Sequence, residues 1–198
     1  MTASNSIRLK TLLAGAMAAL AFSLPVAAAE INGVKIEDTA KVANKDLKLS
    51  NYGMRTKFIV KVYAVGLYAV EKAKSADELL KMDGPRRIKL VMMRDISSED
   101  FGDAFMAGLN ANSDAAEKAK IVGQISKYGE MFASLPGLKK GQVLHLDYIP
   151  GAGTQCEIDG KKIGDVAPDA AFFNAILKIW LGPKPVDSSL KTALLSNR

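Results

Sequence analysis

Apolar residues alternate with polar ones early and late in the chain, and between these stretches they recur at the period of a helix. Residues 31–36 and 47–50 alternate as short strands. Residues 57–70, KFIVKVYAVGLYAV, are rich in β-branched and aromatic side chains and free of proline, so they predict one long strand with Gly66 as a candidate bulge. Residues 86–94 predict another strand, after the turn Asp83-Gly84-Pro85. From Ser97 the period changes. Ser97, Ser98, Glu99 and Asp100 supply capping hydroxyls and first-turn carboxylates, and Phe101, Phe105 and Leu109 fall on one helical face. A second helix is expected over residues 114–135, ended by Pro136-Gly137. Strands return at 142–149 and 154–158, and Asp159-Gly160 predicts a tight hairpin turn into Lys162 and Ile163. Residues 169–181 predict a helix that Gly182-Pro183 breaks, and Asp187 caps a short helix carrying Leu190 and Leu194. Strands and helices are grouped in blocks. That grouping predicts an α+β fold, a largely antiparallel sheet with a layer of helices on one face.

The apolar run at residues 12–26 follows Arg8 and Lys10 and ends in Ala27-Ala28-Ala29, the pattern of a cleaved secretory signal. Gly15, Ser23 and Pro25 interrupt it and no positive flank follows, which argues against a retained membrane anchor. The expected organisation is a signal peptide over residues 1–29 and one domain over 30–198, secreted to the periplasm without a stable membrane anchor. Removing the signal takes two of the 27 basic residues and none of the 21 acidic ones, leaving a net charge of +4. So mild a charge is no nucleic-acid footprint. Cys156 is the only cysteine, so the fold rests on packing and the thiol is expected to be a small buried hydrophobe.

No His or Cys cluster has metal-ligand spacing, and no P-loop, nucleophile elbow or dinucleotide fingerprint occurs, so neither metal nor cofactor is expected. His145, the only histidine, alternates with Leu144 and Leu146 and shares its side with Asp147, which reads as the wet face of a strand. The chemistry with most promise lies at residues 53–68. There a glycine turn at Gly53 and Arg55 lead into the long strand with Tyr63 and Tyr68. If the strand is regular from Arg55, then Lys57, Ile59, Lys61, Tyr63 and Val65 share its face. A guanidinium and a phenol on one face can hold a carboxylate or a phenolate.

The same segment resembles the strand F-I-K-F-T-A-I-G-V-Y-L of chalcone isomerases, and more closely the K-V-Y-A-x-G-x-Y form of isomerase-like and fatty-acid-binding relatives. Three more stretches resemble that family in the right order. They are Met93-Arg94-Asp95-Ile96, the hairpin LDYIPGAGT over residues 146–154, and the closing helix pair over 175–182 and 186–191. The resemblance implies an open-faced β-sandwich with a ligand cleft between sheet and helices. It also bears on activity. The plant enzymes' strand threonine becomes Tyr63, Phe101, Ala104 and Gly108 stand for their helix Tyr, Lys and Asn, and Ile179, before Trp180, stands for a last-helix hydroxyl. Arg55 corresponds to their arginine. The implied function is non-catalytic binding of a fatty acid or similar amphipathic or aromatic small ligand. Arg55 and either Tyr63 or Tyr68 would hold the carboxylate, and Met92, Met93, Phe101, Phe105, Phe173 and Leu177 would line the cleft. The alternative is an isomerase of the chalcone type with weak or different substrate chemistry, in which Arg55 would be catalytic. Processing after Ala29 predicts that N-terminal sequencing of the exported protein reads from Glu30; an intact Met1 in the membrane fraction would contradict it.

Overall fold

The computed structural model describes residues 28–73 and 75–196, so residues 1–27 of the expected signal segment lie outside the described residues. Its first element is a hairpin. β1 (Ala28–Ile31) pairs with β2 (Val34–Glu37) around Asn32-Gly33, both at positive φ. The expected single strand over residues 31–36 is therefore two strands, because Asn-Gly is a strong type I′ turn signal. Seven further strands pair in chain order, all antiparallel: β3 (Thr39–Val42), β4 (Lys45–Lys57), β5 (Val60–Ala69), β6 (Arg86–Met92), β7 (Val143–Ile149), β8 (Gly153–Ile158) and β9 (Lys161–Ala167). The long expected strand over residues 57–70 is corrected here. Phe58 and Ile59 form a two-residue turn, Lys57 pairs with Val60, and Arg55 lies on the preceding strand opposite Tyr63.

Helices interrupt the meander on one face. α1 (Ala76–Lys81), which the hydrophobic pattern does not announce, lies between β5 and β6. α2 (Ser98–Asn112) and α3 (Ala115–Ala133) lie between β6 and β7, and α4 (Ala170–Leu181) and α5 (Ser188–Leu195) close the chain. The starts of α2 and α3 follow the sequence signals: the Ser97 hydroxyl accepts from the Asp100 amide at 3.0 Å, and Asp114 and Glu117 form a reciprocal capping box. The helix layer packs around an aromatic cluster. Phe132 takes Phe101, Phe105 and Tyr128 edge-on at centroid distances of 4.9, 5.1 and 5.9 Å, and the Tyr128 hydroxyl donates to Thr154 O at 2.8 Å, tying α3 to β8. Cys156 is buried in this core. Among the described residues no helix is long and apolar enough to cross a membrane.

The opposite face is covered as well. Ile36 packs from the β1–β2 hairpin with Leu47, Leu49, Ala64, Tyr68 and Val91 into a second apolar cluster. A Cβ on Gly66 would come within 3.0 Å of Ile36 Cγ2, so Gly66 marks this close approach, and the register runs through it without the expected bulge. The row read as a wet face is corrected for the same reason. Arg87 donates from Nε and Nη2 to the two carboxylate oxygens of Asp147, both at 2.6 Å, and Lys89 pairs with Glu37 reaching over from β2. Asp147 and Lys89 are buried, and His145 Nδ1 sits 4.0 Å from Glu157 Oε2.

Burial of the His145 ring, reinforced by the charges of Arg87 and Lys89, lowers its pKa to about 4 from an ordinary 6.5, against the weaker pull of Glu37 and Asp159. Between those pH values the unfolded chain takes up a proton that the folded ring refuses. Stability therefore falls as pH drops from about 6.5 to about 4, by roughly 2–3 kcal/mol from this group. Urea unfolding across this range should show His145→Gln losing less stability than the wild type by that amount; parallel curves would contradict the burial account.

Candidate functional site

The cavity of interest opens where β4, β5 and β6 meet the helix layer, and two glycines let the elements beside it pack closely. A Cβ on Gly53 would lie 2.5 Å from Leu190 Cδ1, so this glycine, read from sequence as a turn, is an in-strand position that lets α5 lie against β4. A Cβ on Gly108 would lie 2.7 Å from Ile179 Cγ2, so α2 and α4 also approach closely. The α4–α5 connection is then pinned. Asn112, buried at the end of α2, donates to Gly108 O at 3.0 Å and to Lys184 O at 2.8 Å, and accepts from Lys184 N at 2.8 Å. Asp187 accepts from the Leu190 amide at 2.9 Å and from the Thr56 amide at 3.1 Å, fastening that connection to β4 one residue beyond Arg55.

These contacts enclose a cavity of about 380 Å³, within the range of small-molecule sites. Its walls include Tyr63, Leu90, Phe101, Ala104, Phe105, Leu146, Ile179 and Trp180, and its mouth is formed by Lys57, Phe58, Val60, Arg94, Asp95 and Asp100. Arg55 lines it too, half-buried. Cross-strand pairing puts Arg55 directly beside Tyr63, with the guanidinium carbon 5.5 Å from the ring centroid. The Trp180 indole N–H donates to the Tyr63 hydroxyl at 2.9 Å, joining α4 to the sheet, and the two rings meet edge-on. Burial raises the Tyr63 pKa, with Arg55 and the Trp180 bond acting against it, so the phenol stays protonated. With one lone pair of its oxygen taken by Trp180, its O–H remains able to donate.

Arg55 forms no ion pair among the described residues. The acids at the mouth have other partners: Asp95 accepts from Lys140 N at 2.9 Å and Lys139 Nζ at 3.2 Å, which holds its carboxyl below the usual range, and Asp100 accepts from Ser97 Oγ at 2.7 Å. A planar cation and a phenol donor thus sit side by side in a chamber with apolar and aromatic inner walls and a charged mouth. Such a site can hold one carboxylate or phenolate with its hydrocarbon part against the aromatic walls. Among the described residues there is no cluster of three His, Cys, Asp or Glu able to hold a metal ion.

Of the residues picked out from sequence, the structure brings Arg55, Tyr63, Phe101 and Phe105 together around this cavity. It separates the others. Tyr68 is five residues from Tyr63, so alternation turns it to the opposite face, into the cluster under the β1–β2 hairpin. Met92, cross-strand neighbour of Tyr63, and Phe173 and Leu177 on α4 are packed into the core and do not line the cavity, nor does the half-buried Met93. Ala104 and Ile179, identified as apolar replacements for polar groups, do line it, whereas Gly108 serves as the contact point behind Ile179. Trp180 and Asn112 were not singled out. An asparagine near the end of the predicted helix, four residues beyond Gly108, was the available signal for the second.

In fold, the chain is similar to a crystal structure of an Arabidopsis thaliana fatty-acid binding protein, with a TM-score of 0.64 at 18% identity over 82% of this chain and 92% of that one. No curated protein sequence matches. The family profile described as chalcone isomerase-like matches residues 28–196, and with every described residue inside that match, the chain belongs to the chalcone isomerase-like family.

Proposed function

We propose that the protein is a periplasmic, non-catalytic binder of a fatty acid or a similar amphipathic carboxylate. The observation that carries this reading is the juxtaposition of Arg55 and the Tyr63 hydroxyl within a 380 Å³ cavity that is otherwise largely apolar. Arg55 supplies the counter-charge and a two-donor fork, Tyr63 supplies a third donor, and the aromatic walls receive the acyl chain. The fatty-acid binding protein of the same fold supports the ligand class. The identities of the wall residues support the absence of catalysis. Phe101, Ala104 and Ile179 stand where an isomerase would need oriented polar groups, and apolar side chains can neither orient water nor stabilise a developing oxyanion.

Each buried methylene contributes about 0.8 kcal/mol before ordering costs, so the chain supplies most of the affinity while Arg55 fixes orientation. Removing the partner of a desolvated carboxylate costs roughly 2–5 kcal/mol. Titration calorimetry on delipidated, folded protein should therefore show Arg55→Ala weakening dodecanoate by at least about tenfold while dodecanol loses much less. Arg55→Lys should restore part of the loss. Tyr63→Phe, which removes one donor, should cost about twofold to tenfold. Equal losses for acid and alcohol would show that Arg55 does not meet the carboxylate, and saturable turnover of a chalcone that disappears in Arg55→Ala would restore the isomerase reading.

A further inference from the structure

The β4–β5 turn is built against the ordinary interests of the fold. Phe58 is 93% exposed and Ile59 94%, with Val60 beside them at 40%. Three of the five large apolar side chains exposed among the described residues are thus consecutive, at one hairpin tip. Phe58 also holds a φ of +56°, at the first position of a two-residue turn where glycine is favoured. A polar Gly-containing turn would relieve the backbone and remove two hydrocarbon groups from water. Packing within the chain gives no reason for Phe-Ile here.

The surroundings of the tip point to what covers it. Exposed Lys57 and Lys61 bracket the turn, with Lys61 Nζ donating to Asn32 Oδ1 at 2.6 Å in the neighbouring β1–β2 turn. Arg55 and Arg94 line the cavity behind it, while Asp95 and Asp100, the acids at the mouth, are engaged by Lys139, Lys140 and Ser97. Apolar side chains at a tip with flanking lysines match the boundary of an anionic bilayer, where the hydrocarbon enters the acyl region and the ammonium groups meet lipid phosphates. Phe58 and Val60 are also part of the cavity mouth, so a tip seated in lipid places that mouth at the bilayer surface. A long-chain carboxylate partitions strongly into bilayers, which makes that surface its natural source and destination.

We propose that the Phe58-Ile59 turn is a membrane-docking element that seats the cavity mouth on an anionic lipid bilayer for direct exchange of the ligand. The exchange role rests on the fatty-acid reading above; the docking surface does not. The test is sedimentation of the folded, unliganded protein with phosphatidylcholine vesicles containing phosphatidylglycerol. The wild type should bind, more weakly at high salt and on pure phosphatidylcholine. Ile59→Asp should bind at least about tenfold more weakly, because it replaces an inserted side chain with a charge of the same sign as the lipid. Since Ile59 does not line the cavity, its affinity for dodecanoate in vesicle-free buffer should equal that of the wild type. Absence of wild-type binding to the anionic vesicles would overturn the proposal, and so would equal binding by Ile59→Asp. Lipid-free self-association abolished by Ile59→Asp, without vesicle binding, would assign the tip to a second copy of the chain instead. Vesicle binding by a protein that takes up no dodecanoate would support the docking surface while removing the fatty-acid reading; dodecanoate uptake without vesicle binding would do the reverse.

Discussion

The candidate site depends on the pairing of Arg55 with Tyr63 across β4 and β5. That pairing is a property of the hairpin. The two-residue turn at Phe58-Ile59 sets the pairs Lys57–Val60 and Thr56–Lys61, and a register shift between Thr56 and Arg55 then places Arg55 opposite Tyr63 instead of Val62. Slipping the register by one residue would move the phenol to the opposite face, under the β1–β2 hairpin, and leave the guanidinium alone among apolar walls. The hydrogen bond from Trp180 to the Tyr63 hydroxyl then couples this strand pair to α4, so that the helix layer is oriented by the same side chain that faces the cavity.

Two faces of one sheet divide the labour. On the helix side, residues such as Val65, Leu67, Leu90 and Leu144 build the main core around the Phe132 cluster, and the cavity is a gap left at one end of that core. On the other side, the β1–β2 hairpin covers a smaller apolar cluster and a ladder of charges in which Arg87 holds Asp147 and Lys89 holds Glu37. Buried ion pairs of this kind contribute little net stability, but removal of one partner leaves an uncompensated charge and is strongly destabilising. The buried Arg87–Asp147 pair therefore ties β6 to β7, and the half-exposed Glu37 carries the charge contact from Lys89 across to the hairpin.

What was legible in the sequence follows from the range of the forces involved. α2, α3 and α4 were legible because caps and a 3.6-residue period act within a few residues, as at Ser97 and Asp114. The antiparallel sheet was legible from the grouping of strands. The turn at Phe58-Ile59 was not, because β-branched and aromatic residues ordinarily occupy strands and nothing local distinguishes an exposed hydrophobic tip from a buried run. Arg55 and Tyr63 were nonetheless placed on one face, although by pairing across a hairpin and not by alternation along one strand. The rejection of Tyr68 was available from its odd separation from Tyr63 alone. The roles of Gly53 and Gly108 were beyond reach, since each depends on an element distant in the chain, Leu190 for one and Ile179 for the other.

On the proposed function, an ionised carboxylate rests between Arg55 and Tyr63, with its acyl chain against the aromatic walls of the cavity. Nuclear magnetic resonance of dodecanoate labelled with ¹³C at its carboxyl tests it most directly, by following the bound resonance through an acid titration. A cation and a phenol donor favour the charged form, so the bound carboxyl should titrate below the free acid, with nuclear Overhauser contacts from the ligand to the Tyr63 ring and to Trp180. A bound carboxyl that titrates at or above the free value, with no contacts to those rings, would show the headgroup elsewhere and contradict the account.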